Sequence, residues 1–245
     1  MLALIAGTGF YDWEDLQNQQ EKHISTPYGE ADVFLGEVAT PQGAKPLVFL
    51  PRHARNHSIP PHLINYRANI WALHSLGVDK IVAVNAVGSL LREVPPGSIV
   101  LVDDFLDFTY GREHTFFTGG EAGVQHTDMT HCYDEAWQRQ IKAAAERAAV
   151  PLVENGVYVC VQGPRFESRA EIRAFARLGG TISGMTGVPE VTLANELGIK
   201  YGSLAMVTNY ACGLAEKVTH AEVTELMGAN AKRLAKILLQ LVYAY

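Results

Sequence analysis

Short apolar runs that stop at small residues alternate along this chain with longer segments of helical period, and that alternation restricts the fold more than any other feature. Leu2–Ala6 is wholly apolar and ends at Gly7-Thr8-Gly9; such a run, bounded by glycine, reads as a strand buried on both faces. Lys80–Asn85, Ile99–Val102, Gly156–Val161 and Tyr201–Thr208 share this character. Between them, Leu63, Ile64, Ile70, Leu73 and Leu76 fall near helical spacing behind Pro60-Pro61, with Gly77 as the stop. Further helices are predicted over Glu135–Ala149, Ser168–Leu178, Val188–Leu197 and about Ala221–Val242. Strands alternating with helices predict an α/β fold. Val33–Val38 and Leu47–Leu50 flank the turn residues Thr40-Pro41-Gln42-Gly43, which suggests a hairpin and therefore a mixed sheet. Ala86-Val87-Gly88-Ser89 reads as a tight turn after Asn85, and residues 104–133 show no period. A stretch that long inside a compact domain is usually functional or interfacial. With no repeat, linker or low-complexity segment, a single domain is expected over residues 1–245.

A chain of 245 residues is long enough to bury a core without disulfide or metal staples. Its 20 Lys+Arg against 26 Asp+Glu leave a net charge of −6, with no basic run able to displace counterions from a duplex. No nucleic-acid partner is expected, although an uncharged nucleoside stays open. Cys132, Cys160 and Cys212 form no CxxC pair, which fits a reducing compartment. The opening MLALIAGTGFYDWED lacks a basic flank and a cleavage site, so no signal peptide is expected. No uninterrupted apolar run is long enough to span a membrane. The expected location is the cytoplasm.

Several strand ends carry chemistry. Backbone N–H groups of Gly7-Thr8-Gly9, with the Thr8 hydroxyl, make a neutral cradle for an anion; the third glycine of a dinucleotide fingerprint is missing, since position 12 is Asp12, and no Gly-Lys-Ser/Thr follows. A plain strand-ending turn is the competing reading. Arg52-His53 follows a strand, and arginine's planar fork suits phosphate or carboxylate oxygens. His53, His57 and His62 could instead suggest a metal, but Pro60 and Pro61 break the helix that would align them and no Cys or carboxylate has ligand spacing. No metal is expected. Asn85 and Ala86 fall where ligands sit in α/β sheets, at the carboxyl end of a strand. Phe166 and Glu167 suit a planar heterocycle, one by stacking and the other by accepting an N–H; Glu167 equally suits the dipole of the helix that Ser168 caps. Thr186 precedes a helix whose first turn holds Pro189 and Glu190, a natural anion site. Asn209 ends a strand with an amide that donates and accepts at once.

Jointly, Ile5-Ala6-Gly7-Thr8-Gly9, Arg52-His53, Asn65-Tyr66-Arg67-Ala68-Asn69-Ile70-Trp71-Ala72-Leu73, Gly163-Pro164-Arg165-Phe166 and Met185-Thr186-Gly187-Val188-Pro189-Glu190 resemble the methylthioadenosine and purine nucleoside phosphorylase family, in order along nearly the whole chain. The resemblance implies the nucleoside-phosphorylase fold, a mixed central β-sheet flanked by helices, and a homotrimer with sites near subunit boundaries. It implies phosphorolysis of a purine nucleoside to free base and a pentose 1-phosphate, with inorganic phosphate as co-substrate and no cofactor. By the family's pattern, phosphate would sit among Thr8, Arg52, His53, Asn85, Ala86 and Thr186. Met185 would line the sugar, Glu167, Asn209 and Ala211 would face the base, and His126 would close a neighbouring subunit's sugar pocket.

Two departures bear on specificity. Relatives acting on methylthioadenosine typically carry Asp-x-Asp where this chain has Asn209-Tyr210-Ala211. Asn209 suits a 6-oxo group, and Glu167 accepts the N1–H that only a 6-oxopurine carries, so a hypoxanthine-type base is expected. Asn-x-Ala and Gly111-Arg112-Glu113-His114-Thr115 resemble the bacterial methylthioinosine phosphorylase branch, whereas His220 resembles enzymes that bind a 5′-hydroxyl. Three alternatives stand beside this reading: adenine as the base, a non-catalytic nucleoside-binding protein, and a nucleoside hydrolase, for which Asp12 and Asp15 are a poor calcium motif.

Overall fold

The computed structural model describes residues 1–7, 10, 13–54, 58–214 and 220–245, with only the backbone for 220–227 and 229. Among these, the strands are β1 (Leu2–Ala6), β2 (Leu16–Thr26), β3 (Gly29–Thr40), β4 (Gly43–Pro51), β5 (Lys80–Ser89), β6 (Ile99–Phe108), β7 (Val153–Val161), β8 (Ile182–Gly184) and β9 (Lys200–Tyr210). They form one mixed sheet in the order β2-β3-β4-β1-β5-β8-β7-β6-β9. Because β9 also pairs with β5, the strands β5, β8, β7, β6 and β9 close on themselves as a small barrel, and β1 to β4 extend from it as an open wing.

Helices α1 (Tyr66–Ser75) and α4 (Gly187–Glu196) cover one face. There Ala3, Ile5, Val48, Leu50, Ile81 and Ala83 pack with Ile70, Leu73 and Val191. Helices α2 (Glu135–Arg147) and α5 (His220–Ala244) cover the other, with Leu2, Leu4, Leu47, Phe49, Val82 and Val84 against Trp137, Ile141, Leu234 and Leu238. Successive strand residues point to opposite faces, so strands buried on both sides must be apolar throughout, as the sequence shows them to be. Helix α3 (Arg169–Arg177) begins at Ser168, whose hydroxyl and the Glu171 carboxylate form a reciprocal capping box.

Four details differ from the sequence reading. The expected turn at Ala86–Ser89 is strand: Gly88 and Ser89 pair with Ser183 and Ile182 of β8 on one side and with Asn209 and Tyr210 of β9 on the other. Partners on both edges hold small residues extended where local chemistry alone favours a bend. Strand β2, with the polar sequence LQNQQEKHIST, was invisible to hydrophobic periodicity because it pairs through backbone with β3 and leaves most side chains in solvent. Strand β8, three residues long, is too short to show a pattern. The helix expected directly after Pro60-Pro61 opens as a 3-10 turn, Pro61–Leu63, and becomes α-helical only at Tyr66, where the Asn65 side chain caps it.

Candidate active site

Strands β1, β4, β5 and β9 run parallel, so their carboxyl ends open on one side of the molecule. Strand β5 is interior to the sheet, yet Ala86 is exposed and Gly88, two residues on and on the same face, is half-buried. An interior strand is open to solvent only where nothing packs over it. These two small residues are the floor of a cleft.

One end of the cleft holds oxyanion donors. Strand β8 is antiparallel to β5, with Ser183 opposite Gly88, so the chain leaving it runs back along β5 and sets Thr186 beside Asn85. The Asn85 amide donates to the Thr186 hydroxyl at 2.8 Å. Arg52, 2% exposed, sits at the end of β4 and donates from Nη1 to the carbonyl of Val84, next to Asn85, at 3.0 Å. Its Nε and Nη2 form a bidentate pair with Glu190 of α4 at 2.7 and 2.8 Å. Tyr201 donates to the same carboxylate at 2.7 Å. Burial opposes the guanidinium charge, but Glu190 more than offsets it and raises the Arg52 pKa. These bonds use three of the five guanidinium N–H groups and leave two. The His53 ring lies against Gly7, where an added Cβ would be 3.3 Å away. His53 Nδ1 faces the Ile59 carbonyl at 2.8 Å; a carbonyl only accepts, so Nδ1 carries the hydrogen. The structure therefore brings Arg52, His53, Asn85, Ala86 and Thr186 to one region, whereas Thr8 lies outside the described residues.

The helix terminus behaves differently from the sequence expectation. The N–H groups of Thr186 and Gly187 point at the Tyr158 hydroxyl, at 3.2 and 3.4 Å, and Glu190 is committed to Arg52. The start of α4 is thus held by a buried phenol, and what it offers the cleft is the Thr186 hydroxyl.

The other end of the cleft holds Glu167 and Asn209. Glu167, 9% exposed, accepts a hydrogen bond from the Ser183 hydroxyl, so it belongs to the cleft wall and not to the dipole of α3. Ser183 lies opposite Gly88 and Gly88 opposite Asn209, so the two polar groups face each other across a glycine. A Cβ there would sit 3.3 Å from the Asn209 amide nitrogen and 3.4 Å from Ala211. The β9 register slips between Val87 and Gly88 of β5, leaving Thr208 as an extra residue that turns Asn209 toward the cleft. The Asn209 orientation is determined by its neighbours. Its Nδ2 donates to the Tyr210 carbonyl at 2.9 Å, while Oδ1 accepts from the Thr208 hydroxyl at 2.8 Å. Reversing the amide would set two acceptors against each other at Tyr210. Met185 lies against Gly163. Phe166, by contrast, is 71% exposed, and His126 is exposed in the aperiodic segment, so neither packs within the cleft. His220 begins α5, but its side chain lies outside the described residues.

Residues 1–243 match the family described as the Phosphorylase superfamily. The chain belongs to that superfamily. It is 45% identical over 244 residues to a "6-oxopurine nucleoside phosphorylase" of Pyrococcus furiosus, covering 97% of this chain and 90% of the relative. It is 44% identical over 240 residues to a "Probable S-methyl-5'-thioinosine phosphorylase" of Methanothermobacter thermautotrophicus, covering 97% and 82%. Its backbone matches the crystal structure of a mutant adenosine/methylthioadenosine phosphorylase from Schistosoma mansoni, in complex with methylthioadenosine, with TM-score 0.90, 34% identity and coverage of 99% of this chain and 90% of that one.

In this superfamily member a further arginine holds the cleft loops together. Arg112 is 8% exposed and donates to the carbonyls of Val188 (2.6 Å), Gln162 (2.9 Å) and Met185 (2.9 Å), and to Gln162 Oε1 (3.2 Å). Its guanidinium lies over the Tyr66 ring, 5.4 Å from the centroid. One buried cation thus fastens the segment before Glu167 to the segment carrying Met185 and Thr186. Burial drives the Tyr66 phenol pKa upward even with this cation beside it. Neither Arg112 nor Tyr158 was identified as structural from sequence. Their partners lie tens of residues away, and no local pattern announces them.

Proposed function

We propose that this chain catalyses phosphorolysis of a purine nucleoside, yielding the free base and a pentose 1-phosphate, with a 6-oxopurine favoured. The observation that carries the reading is the cleft itself. Oxyanion donors at Arg52 and Thr186 stand at one end, and Glu167 faces Asn209 across the glycine floor at the other. Phosphate would occupy the first end together with His53, the Asn85–Ala86 strand and Thr8. The sugar would lie along Ala86 beside Met185, and the base between Glu167 and Asn209, with Ala211 below.

Cleaving the glycosidic bond builds positive charge on the sugar and negative charge on the departing purine. Bound phosphate stabilises the first and then attacks the anomeric carbon, with proximity supplying much of the acceleration. Asn209 presents an N–H to the base, because the Tyr210 carbonyl fixes the position of Nδ2 and takes only one of its two hydrogens. That N–H suits an acceptor such as N7 or a 6-oxo group, while the free Glu167 oxygen accepts N1–H. A base that lacks those partners leaves polar groups unpaired, at about 1–3 kcal/mol each. The 6-oxopurine name of the Pyrococcus furiosus relative supports this reading. No cofactor enters the scheme, only inorganic phosphate.

At the 5′ position a methylthio group and a hydroxyl are both carried forward: the thioinosine relative favours the first, and His220 in the sequence favours the second. The exposed Phe166 and His126 fit a homotrimer in which a neighbour completes the sugar and base pocket. A cytoplasmic enzyme folded as one domain completes the reading. Among the described residues no helix is long and apolar enough to cross a membrane. Steady-state rates on inosine, methylthioinosine, adenosine and methylthioadenosine, with and without phosphate, test the proposal. Base release that requires phosphate and is faster for the 6-oxopurines is expected. Release without phosphate would indicate a hydrolase, absence of release a binding protein, and an adenine preference would overturn the base assignment.

A further inference from the structure

We propose that Ser203 of β9 is a positioning residue for phosphate: through Asn85 it sets the direction in which the Thr186 hydroxyl offers its proton. The inference rests on the phosphate-binding reading of the cleft and adds to it a residue that touches neither phosphate nor nucleoside.

A threonine hydroxyl has one proton to donate and two lone pairs with which to accept. Asn85 Nδ2 donates into Thr186 Oγ1 at 2.8 Å, and Ser203 Oγ donates into Asn85 Oδ1 at 2.9 Å. The three form a directed chain, Ser203 to Asn85 to Thr186, that crosses from β9 through β5 to the start of α4. All three are buried: Ser203 and Asn85 are each 2% exposed and Thr186 is 7%. Since Thr186 accepts from Asn85, its own proton is left to donate, and the Tyr158 hydroxyl, which already accepts from the N–H groups of Thr186 and Gly187, is the neighbouring protein group that competes with an anion for it. The next residue along β5 after Asn85 is Ala86, on the cleft floor. A hydroxyl held as an acceptor from behind donates forward, which is what an oxyanion in the cleft requires.

The direction of this chain depends on which way round the Asn85 amide sits. Turned over, it would place Oδ1 against Thr186 and draw that hydroxyl's proton inward, away from the cleft. It would also place Nδ2 against Ser203, whose proton has no second acceptor among the described residues and would be left unsatisfied in a dry site. The Ser203 hydroxyl is therefore the group that holds the amide in the orientation useful to phosphate. Removing that hydroxyl makes the two orientations similar in energy, so Thr186 divides its proton between Asn85 and phosphate.

The test compares wild type, Ser203→Ala, Thr186→Val and the double variant. It reads the calorimetric Kd for inorganic phosphate alone and the KM values for phosphate and inosine. Ser203→Ala is expected to raise both phosphate constants about 3- to 10-fold, the range for one neutral hydrogen bond, and to leave the inosine KM unchanged. On the Thr186→Val background it is expected to add nothing, because the group it orients is gone. Ser203→Cys, of similar size and with a weaker donor, is expected to fall between wild type and alanine, and it carries the same test should the alanine variant not fold. An unchanged phosphate Kd in Ser203→Ala overturns the proposal. So does an equal rise on the Thr186→Val background, or a matching rise in the inosine KM. A wild type that binds phosphate but releases no base would overturn the reaction alone, with the calorimetric comparison still deciding the role of Ser203. A wild type that binds no phosphate overturns both.

Discussion

Glu190→Gln isolates the ion pair on which the oxyanion end of the cleft is built. Arg52 and Glu190 are each 2% exposed and share two hydrogen bonds of 2.7 and 2.8 Å, with Tyr201 as a third partner on the carboxylate. Glutamine keeps the shape but cancels the charge. Its oxygen satisfies one guanidinium N–H, and its NH2 group confronts the other donor to donor. The cation left behind retains the Val84 carbonyl as a neutral partner. Breaking a buried pair from one side costs about 3–5 kcal/mol, because the desolvated charge loses its compensation. With one acceptor retained, the lower end of that range applies, about 3 kcal/mol. For a chain of this size, that corresponds to a fall in Tm of roughly 6–12 °C. Urea denaturation at fixed protein concentration is the assay, with an unchanged slope and a lower midpoint expected. Phosphate should stabilise the variant more than it stabilises wild type, since the anion then supplies the missing counter-charge. The double variant Arg52→Met/Glu190→Gln should lose less than the two single losses added together. A loss below about 1 kcal/mol for Glu190→Gln, the level of an exposed pair, would refute the reasoning: the pair would then be hydrated in solution.

Other consequences follow from the same geometry. Gly184→Ala would drive a Cβ into the Tyr158 hydroxyl that holds the start of α4, at a cost of about 1–3 kcal/mol, measured by thermal or urea unfolding and accompanied by a weaker affinity for phosphate. Asn209→Asp replaces a donor toward the base by an acceptor and should lower the inosine-to-adenosine ratio of kcat/KM by roughly 10- to 100-fold, with a constant ratio as the opposing result. The Arg165 guanidinium and the Ser168 backbone hold the Glu171 carboxyl down at about 2. Its folded pKa is therefore depressed, so its contribution is present above the usual carboxylate range and is lost as pH falls through it toward 2; the stability gap between wild type and Glu171→Gln should be constant above about pH 5 and shrink below it. Burial pushes the Cys132 and Cys160 thiols up to about 12, so a thiol reagent at neutral pH should label Cys212 in the folded protein and all three after denaturation.

Much of the fold was legible because burial on two faces demands continuous apolar runs. Strands β1, β5 and β9 and the helices α2, α3 and α5 all stand within a few residues of where periodicity puts them. Strand β2 was not legible, since backbone pairing with β3 needs no apolar side chains. The turn expected at Ala86–Ser89 failed because local propensity says nothing of two neighbouring strands waiting to pair with the segment. In the site, Arg52, Glu167, Thr186 and Asn209 were visible as polar residues at or just beyond strand ends, and Asn85 as a polar residue in an apolar run, although β5 continues past it to Ser89. Their partners were not: Arg52 meets Glu190 across 138 residues and Asn85 meets Ser203 across 118.

Taken alone, then, the order of residues determined the alternating elements, the polar strand ends and the family resemblance, because each of these is written in neighbouring positions. Only the folded chain decided that Arg52 reaches the cleft as half of an ion pair, that Tyr158 holds the start of α4, and that Tyr210 and Thr208 turn the Asn209 amide donor-first. Hydrogen bonds have direction, and which lone pair or proton is left for a ligand depends on every other partner that packing brings within reach.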